Sequence, residues 1–322
     1  MQVQDWVQTW VGAQSSADAA PDGTGETRAA VDPAAEAEVH AARSRLEEAV
    51  GELGDRLVAT GCPLPLRLSN STITNVDRCD GLAVARAGGS GVDPNWPMLR
   101  GRALDSYVQH VLIAGRVGDP VEDLRSMWMA DEMDETLAAL DDHLTSDARE
   151  DLESDLSLLA AEAATLAPLA QLMPRLEQRL EVTIGGVLAL PGRVDVLLGG
   201  AGTGAPSVLL EVKSSALRSE HMTQVRHYGL LQALREGRPP LAAGVWSPGV
   251  GVTDVPLTNT FGSSAERVVG SLVRTSALWE GAPVGLNPGS HCRFCPEVDR
   301  CPEGMTFAEG SGDADHDDGS DW

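Results

Sequence analysis

From about residue 180 onward the apolar residues of this chain come in short runs cut by glycine and proline, and that texture limits its fold more than any other feature. Residues 180–184, 193–198 and 208–213 read as strands, with Gly185-Gly186 and Pro191-Gly192 as turn signals. Residues 241–246 and 252–257 read as two more. A helix over residues 220–236 interrupts the series, and an amphipathic helix over 265–280 follows it. Upstream the spacing is helical, over residues 34–59, over a stretch begun by Ser69-Asn-Ser71 that runs through Cys79 to about Arg86, and over residues 99–114. Helices before, within and after a short set of strands predict an α/β core, a central mixed sheet flanked by helices.

Residues 1–33 read as a flexible leader and 34–68 as an N-terminal helical segment. One domain is expected over 69–303, with residues 88–97 as a loop inside it. Residues 120–180 are acidic and rich in leucine and alanine, with Met127, Trp128, Met129, Leu137, Leu140, Leu144, Leu152 and Leu156 at three-to-four spacing. They read as a helical insertion of two or three amphipathic pieces. Residues 304–322 carry Asp313, Asp315, Asp317, Asp318 and Asp321 and read as an acidic disordered tail.

The formal net charge is −24 and the pI near 4.5. That argues against a protein that coats nucleic acid by bulk attraction, though arginines clustered at one place remain compatible with it. Abundant Ala, Gly and Val with scarce lysine fit a salt-adapted or GC-rich source. No apolar run reaches the roughly 18 residues of a membrane span. The start of the sequence lacks the basic and apolar blocks of a secretory signal. A cytoplasmic location is therefore expected, and its reduced thiols make the five cysteines read as metal or cluster ligands plus one spare.

Lys213 is the single lysine; the other 23 of the 24 basic residues are arginine. It closes Leu209-Leu-Glu-Val-Lys213. Residues two apart on a strand share a face, so Glu211 and Lys213 are expected to project together, with Val212 on the opposite, buried face. If the strands pair, Asp195 joins them. Two converging carboxylates repel unless a cation sits between them, and hard oxygen ligands suit Mg²⁺ or Mn²⁺. An ammonium beside such a site can orient water and stabilise charge developing on a phosphate.

His291-Cys-Arg-Phe-Cys-Pro-Glu-Val-Asp-Arg-Cys-Pro302 places Cys292, Cys295 and Cys301 in a C-x2-C-x5-C run. Thiolates at this spacing grip a metal centre, and a fourth ligand must come from elsewhere, with Cys79 and Cys62 as the candidates. An iron–sulfur cluster and a four-cysteine zinc site both accept these ligands.

Gly192-Arg-Val-Asp195 followed by Leu-Leu-Glu-Val-Lys213 resembles the core motif of PD-(D/E)XK nucleases. Downstream, Gln224-Val-Arg-His-Tyr228 sets Gln224 and Tyr228 on one helical face and resembles the Gln-x-x-x-Tyr motif of the RecB-like branch. One cysteine ahead of this core and three behind it resemble the cluster-bearing members, the AddB nuclease domain and the CRISPR-associated exonucleases. The likeness spans residues 69–303 and implies a restriction-endonuclease-like core with a C-terminal cluster-binding segment over 291–302. It implies that Asp195, Glu211 and the Val212 carbonyl hold the metal, that Lys213 serves the attacking water, and that Gln224 and Tyr228 support the site. It also implies that Cys79 joins Cys292, Cys295 and Cys301 around a [4Fe–4S] cluster, with zinc as the alternative. Arg193 and Arg226 are expected to touch phosphates.

The family's usual helical histidine ligand is absent. Gly101-Arg-Ala-Leu-Asp105 puts Asp105 there as the expected metal ligand, and His110 lies about 140° further round the helix. Glu181 is a further candidate acid. With no second lysine the chain holds no Gly-x-x-x-x-Gly-Lys phosphate loop, so a motor, if one is needed, is a separate helicase, repair or CRISPR partner. The expected function is a metal-dependent DNA exonuclease acting on single-stranded ends in repair, recombination or defence. The rival is a non-catalytic, cluster-bearing DNA-binding or assembly subunit.

Overall fold

The structure, a computed structural model, describes residues 5–6, 33–88, 96–130, 145–200 and 206–310, without the side chains of residues 97, 125 and 127–130. Most of the expected leader and of the expected loop at 88–97, the side chains of Met127, Trp128 and Met129, the helical pattern at Leu137, Leu140 and Leu144, and the expected tail beyond residue 310 lie outside these residues.

In chain order the elements are α1 (Pro33–Ala59), β1 (Leu66–Arg67), α2 (Asn70–Arg78), α3 (Asp80–Ala87), α4 (Trp96–Ala114), α5 (Pro120–Ala130), α6 (Ser146–Ala163) and a 3-10 helix (Ala167–Leu172). There follow β2 (Arg175–Ile184), β3 (Leu188–Leu198), β4 (Val208–Val212), α7 (Ser219–Glu236), β5 (Ala242–Ser247), β6 (Gly251–Asp254) and α8 (Phe261–Trp279). Two 3-10 turns (Ser290–Phe294, Val298–Arg300) and α9 (Pro302–Gly310) close the described part.

The result is an α/β fold with a mixed sheet between helices. Strand β3 is its spine. Antiparallel β2 runs along one edge of β3 from Ile184↔Leu188 to Arg175↔Leu197. The other edge is shared by parallel β1 at Leu66↔Leu188 and antiparallel β4 at Val196↔Leu210. Helix α7 carries the chain over to β5, which lies parallel to β4, and β6 turns back antiparallel to β5.

Both faces are covered. Leu46 of α1, Leu231 of α7 and Val268 of α8 pack with Leu190, Leu209 and Val245 on one face. Leu99 and Tyr107 of α4 and Leu156 of α6 pack with Val196, Leu210 and Trp246 on the other. Strand β4 is consequently buried along its whole length, so its apolar residues run on rather than alternate. Glu211 is buried like Val212, although it borders a cleft at the end of the strand.

Four expectations change. Pro191-Gly192 is no turn; it lies inside β3, and the hairpin turns at Gly185-Gly186, both at positive φ (57° and 70°). Gly192 is there because α7 comes close, and a Cβ at that position would meet Leu231 at 2.6 Å. The helix begun by Ser69 breaks at Cys79, whose extended backbone (φ −166°, ψ 127°) ends α2 and starts α3. Strand β2 begins at Arg175, so the helical insertion stops short of residue 180. Residues 304–310, expected within the tail, continue α9. Trp6, within the expected leader, is buried against the α4-side core and donates from Nε1 to Asp254 Oδ1 at 3.0 Å. Among the described residues no helix is long and apolar enough to cross a membrane.

Candidate active site and cysteine pocket

Strands β3 and β4 pair through Val196↔Leu210 and then part. One step further along the register, Asp195 stands across from Glu211. In place of a ladder bond, the Val212 amide donates to Asp195 Oδ2 at 2.9 Å. The Lys213 amide donates to the Trp246 carbonyl at 2.9 Å, which keeps the end of β4 on β5. The Lys213 ammonium donates to Glu211 Oε1 at 2.7 Å. The Asp195 and Glu211 carboxyls come within hydrogen-bonding reach of each other, and Glu211, 2% exposed, has a buried Oε2 that receives no protein donor.

Two acids held this way share a proton or a cation. Burial, together with the Asp195 charge, pushes Glu211 up to about 8. Burial also raises Asp195, against the pull of Lys213. Burial alone would lower the Lys213 ammonium, but Glu211 and Asp195 outweigh it and lift its pKa above the ordinary 10.5. Without a metal, then, the acid pair carries the extra proton and the lysine stays charged.

Asp105 projects from α4 toward the same place and bonds Ser214. Burial raises it to about 6, and its Oδ1 is buried without a partner. Asp105, Asp195, Glu211, Lys213, Gln224 and Tyr228 all line one cleft of 790 Å³, together with Val212 and Arg193. Gln224 Nε2 donates to the Tyr228 hydroxyl at 2.9 Å, the four-residue spacing of α7 at work. Burial pushes the Tyr228 phenol up to about 12.

Arg226 stands elsewhere. It is two residues from Gln224, about 200° around the helix, and lines a separate 170 Å³ cavity with His227 and Arg267. Arg193 lines the cleft, whereas Arg226, the other expected phosphate contact, does not. Glu181 is also off the cleft, in an exposed ion pair with Arg67 at 2.8 Å. His110 sits 3.5 Å from Asp123 on another side of α4.

The acid that the sequence reading missed is Glu177. The pairs Leu176↔Val196 and Gln178↔Val194 set it across from Asp195 on β2, so Asp195 is flanked by an acid on each neighbouring strand. Its backbone is left-handed (φ 49°), rare for a side chain of this kind and frequent at functional positions. Gln109 of α4 donates to it at 2.7 Å and Arg193 pairs with it at 2.6 Å. Burial raises its pKa. Counting back from the Gly185-Gly186 turn would have found it; reading Pro191-Gly192 as a second turn hid the register.

The second centre is a cavity of 230 Å³ lined by Cys79, Cys292, Cys295 and Cys301 and walled by Leu82, Leu286, Val298 and Pro302. Cys62 lies apart, buried in the α1-side core, where burial raises its thiol. Backbone N–H groups of Gly289 and Gly304 donate to Cys292 Sγ (3.4 Å) and Cys301 Sγ (3.3 Å). Such donors suit sulfurs that carry charge. The segment bearing these cysteines is tied to the helices around Cys79. Buried Asp80 pairs with Arg274 and accepts the Gly285 amide at 2.7 Å, and Asn287 donates to the Arg78 carbonyl at 3.0 Å. Hydrogen bonding to Arg274 holds the Asp80 carboxyl below the usual range despite its burial.

Among the described residues, no three His, Cys, Asp or Glu side chains are drawn closely enough to grip a single ion as they stand. The four thiols border a space instead of meeting at a point.

No protein-family model matches this chain, and no curated protein matches it. Among solved structures, the one described as "Crystal structure of SSO0001" is 14% identical, with a TM-score of 0.30, over 62% of this chain and 94% of that one. A likeness at that level carries no argument about the fold.

Proposed function

We propose that this protein is a metal-dependent deoxyribonuclease of the RecB-like PD-(D/E)XK type. The observation that carries the reading is the Asp195–Glu211 pair, with Glu211 buried and Asp195 half-buried, bonded through Glu211 to the chain's single lysine and open to a cleft. Holding two acids in contact and largely out of water costs stability, and a structural role would be served better by apolar residues. The arrangement makes sense where a cation replaces the shared proton.

Asp195, Glu211 and Asp105, with the Val212 carbonyl, would hold Mg²⁺ or Mn²⁺; each carboxylate is raised in pKa and so primed to exchange a proton for a cation. The bound ion would supply Lewis-acid stabilisation of charge on the phosphate. Lys213 keeps its proton and points with Glu211 into the site, where it orients the attacking water and offsets charge on the phosphate oxygens. Arg193, two thirds exposed at the cleft wall, is placed to meet a neighbouring phosphate. Gln224 and Tyr228 brace the floor.

Cys79, Cys292, Cys295 and Cys301 would hold a [4Fe–4S] cluster. An apolar 230 Å³ space bordered by four thiols, two with backbone N–H donors on sulfur, suits a cluster better than a lone zinc ion.

The test is hydrolysis of an end-labelled single-stranded oligonucleotide by anaerobically purified protein with Mg²⁺ or Mn²⁺. Cleavage that disappears in chelator and in Lys213→Ala supports the reading. Binding of DNA without any metal-dependent cleavage would instead favour the non-catalytic, cluster-bearing subunit, the reading that Asp105 in place of a histidine invites.

A further inference from the structure

Beside the 790 Å³ cleft lies a second of 810 Å³ that shares Arg102, Asp105, Lys213 and Gln224 with it, so the two form one groove running away from the acid–lysine centre. The far wall of the second cleft is built by the cysteine segment, through Arg293, Phe294 and Cys295, with Arg86 of α3 beside them. On a chain of net charge −24, Arg86, Arg102 and Arg293 gathered in one groove complement a polyanion. Aromatic side chains are few here, with three phenylalanines in all. Phe261 is fully buried, whereas Phe294 is 40% exposed on the groove wall.

The backbone of Phe294 is held in place. It ends the 3-10 turn Ser290–Phe294, between Cys292 and Cys295, and its carbonyl accepts from Arg86 Nη2 at 2.9 Å. An exposed ring on an anchored backbone, next to guanidinium groups, is an arrangement on which an unpaired base stacks while its phosphate is neutralised. Inside a duplex both faces of each base are stacked and closed to such a ring.

We propose that Phe294 and Arg293 form a nucleotide subsite, a stacking platform with a phosphate contact, which receives one unpaired nucleotide of a strand whose neighbouring phosphate reaches Lys213. This rests on the nucleic-acid reading of the cleft and adds that the cysteine segment itself grips the substrate.

The test is binding of a fluorescent oligodeoxythymidylate to the full chain in chelator, where nothing is cut. A 2-aminopurine placed near the bound end reports stacking. Phe294→Ala should weaken binding about tenfold and abolish the quenching, and Phe294→Trp should restore both. Phe294→Leu, which keeps apolar bulk without a π face, should not. Arg293→Gln should make the slope of log Kd against log salt shallower by about 0.7, the loss of one single-strand phosphate contact. Wild-type affinity and quenching in Phe294→Ala, or rescue by leucine equal to that by tryptophan, would overturn the subsite. So would a duplex that binds as tightly as the strand and ignores Phe294. Melting temperatures matched to wild type show that the pocket stayed intact, and if the Phe294 variants melt early the salt slope of Arg293→Gln decides. Phe294-dependent binding in a protein that never cleaves would sink the nuclease reading and leave the subsite. Cleavage with unchanged KM in Phe294→Ala would do the reverse.

Discussion

Asp195, Glu211 and Lys213 are held by strand pairing at the middle of a sheet covered on both faces, whereas Cys79, Cys292, Cys295 and Cys301 are held by turns and short helices at its margin. The first centre is rigid because its acids sit on β3 and β4, with the end of β4 bonded to β5, and the register brings those acids together. The second has no ladder. Its parts come from segments more than 200 residues apart and are joined by the Asp80–Arg274–Gly285 clamp, by Asn287 on the Arg78 carbonyl and by packing around the thiols. The two centres therefore relate to the stability of the fold in opposite ways. The acid centre takes from the fold, because buried acids cost free energy that the sheet must offset. The cysteine pocket should give to the fold, because a shared metal centre would close a very long loop.

The widest effect expected separates chemistry from architecture. Lys213→Ala, Asp195→Ala and Glu211→Ala should each lower cleavage by about 10³-fold or more while the fold persists. Lys213→Arg should fail too, since a planar fork does not replace a compact ammonium bonded to Glu211 at 2.7 Å. Turnover of a labelled oligonucleotide checks this, and wild-type rates from the arginine variant would break the contrast.

At the other centre, serine at any one of Cys79, Cys292, Cys295 or Cys301 should release iron and sulfide and lower Tm by roughly 10 °C or more. Cys62→Ser should leave both nearly untouched. Iron, sulfide and zinc contents with thermal melts across the five variants read this out. Zinc in place of iron would keep the closure and remove the cluster.

A smaller effect should appear with pH. Glu211 titrates near 8 in the folded chain against an ordinary 4.5. In that window the native state holds a proton that the unfolded state has lost, so stability of the chelated protein falls as pH rises toward about 8 and levels off above it. Mg²⁺ or Mn²⁺ should reverse the fall and release a proton on binding. Melts of chelated and metal-loaded protein between about pH 5 and 9 test it. A Tm that climbs through this range without metal would mean that the pair is not protonated as described.

The smallest concerns the acid across from Asp195. Glu177→Gln keeps the Gln109 and Arg193 neighbours but removes a charge, and should slow cleavage roughly tenfold, about 1.4 kcal/mol. An unchanged rate would confine the centre to Asp105, Asp195 and Glu211.

Sequence alone determined the kind of secondary structure and the local chemistry. Apolar runs of strand length, the helix from Ser219 to Glu236, the Glu211–Lys213 spacing and the Gln224–Tyr228 pair are all set by periods of two or of three to four residues, which short stretches encode by themselves. The remaining features depend on packing between distant elements. Glu177 became a partner of Asp195 through hairpin register. Gly192 passed from turn to strand because α7 presses on it, and Cys79 was turned toward the other thiols by a break between two helices that the local sequence reads as one. Arg226 was turned away by the same helical period that aligned Gln224 and Tyr228, once packing fixed which face of α7 meets the sheet. The reason is common to all four. Short-range propensity fixes what an element is, but which residues meet is set by how distant elements share a buried surface, and that information is spread over the whole chain.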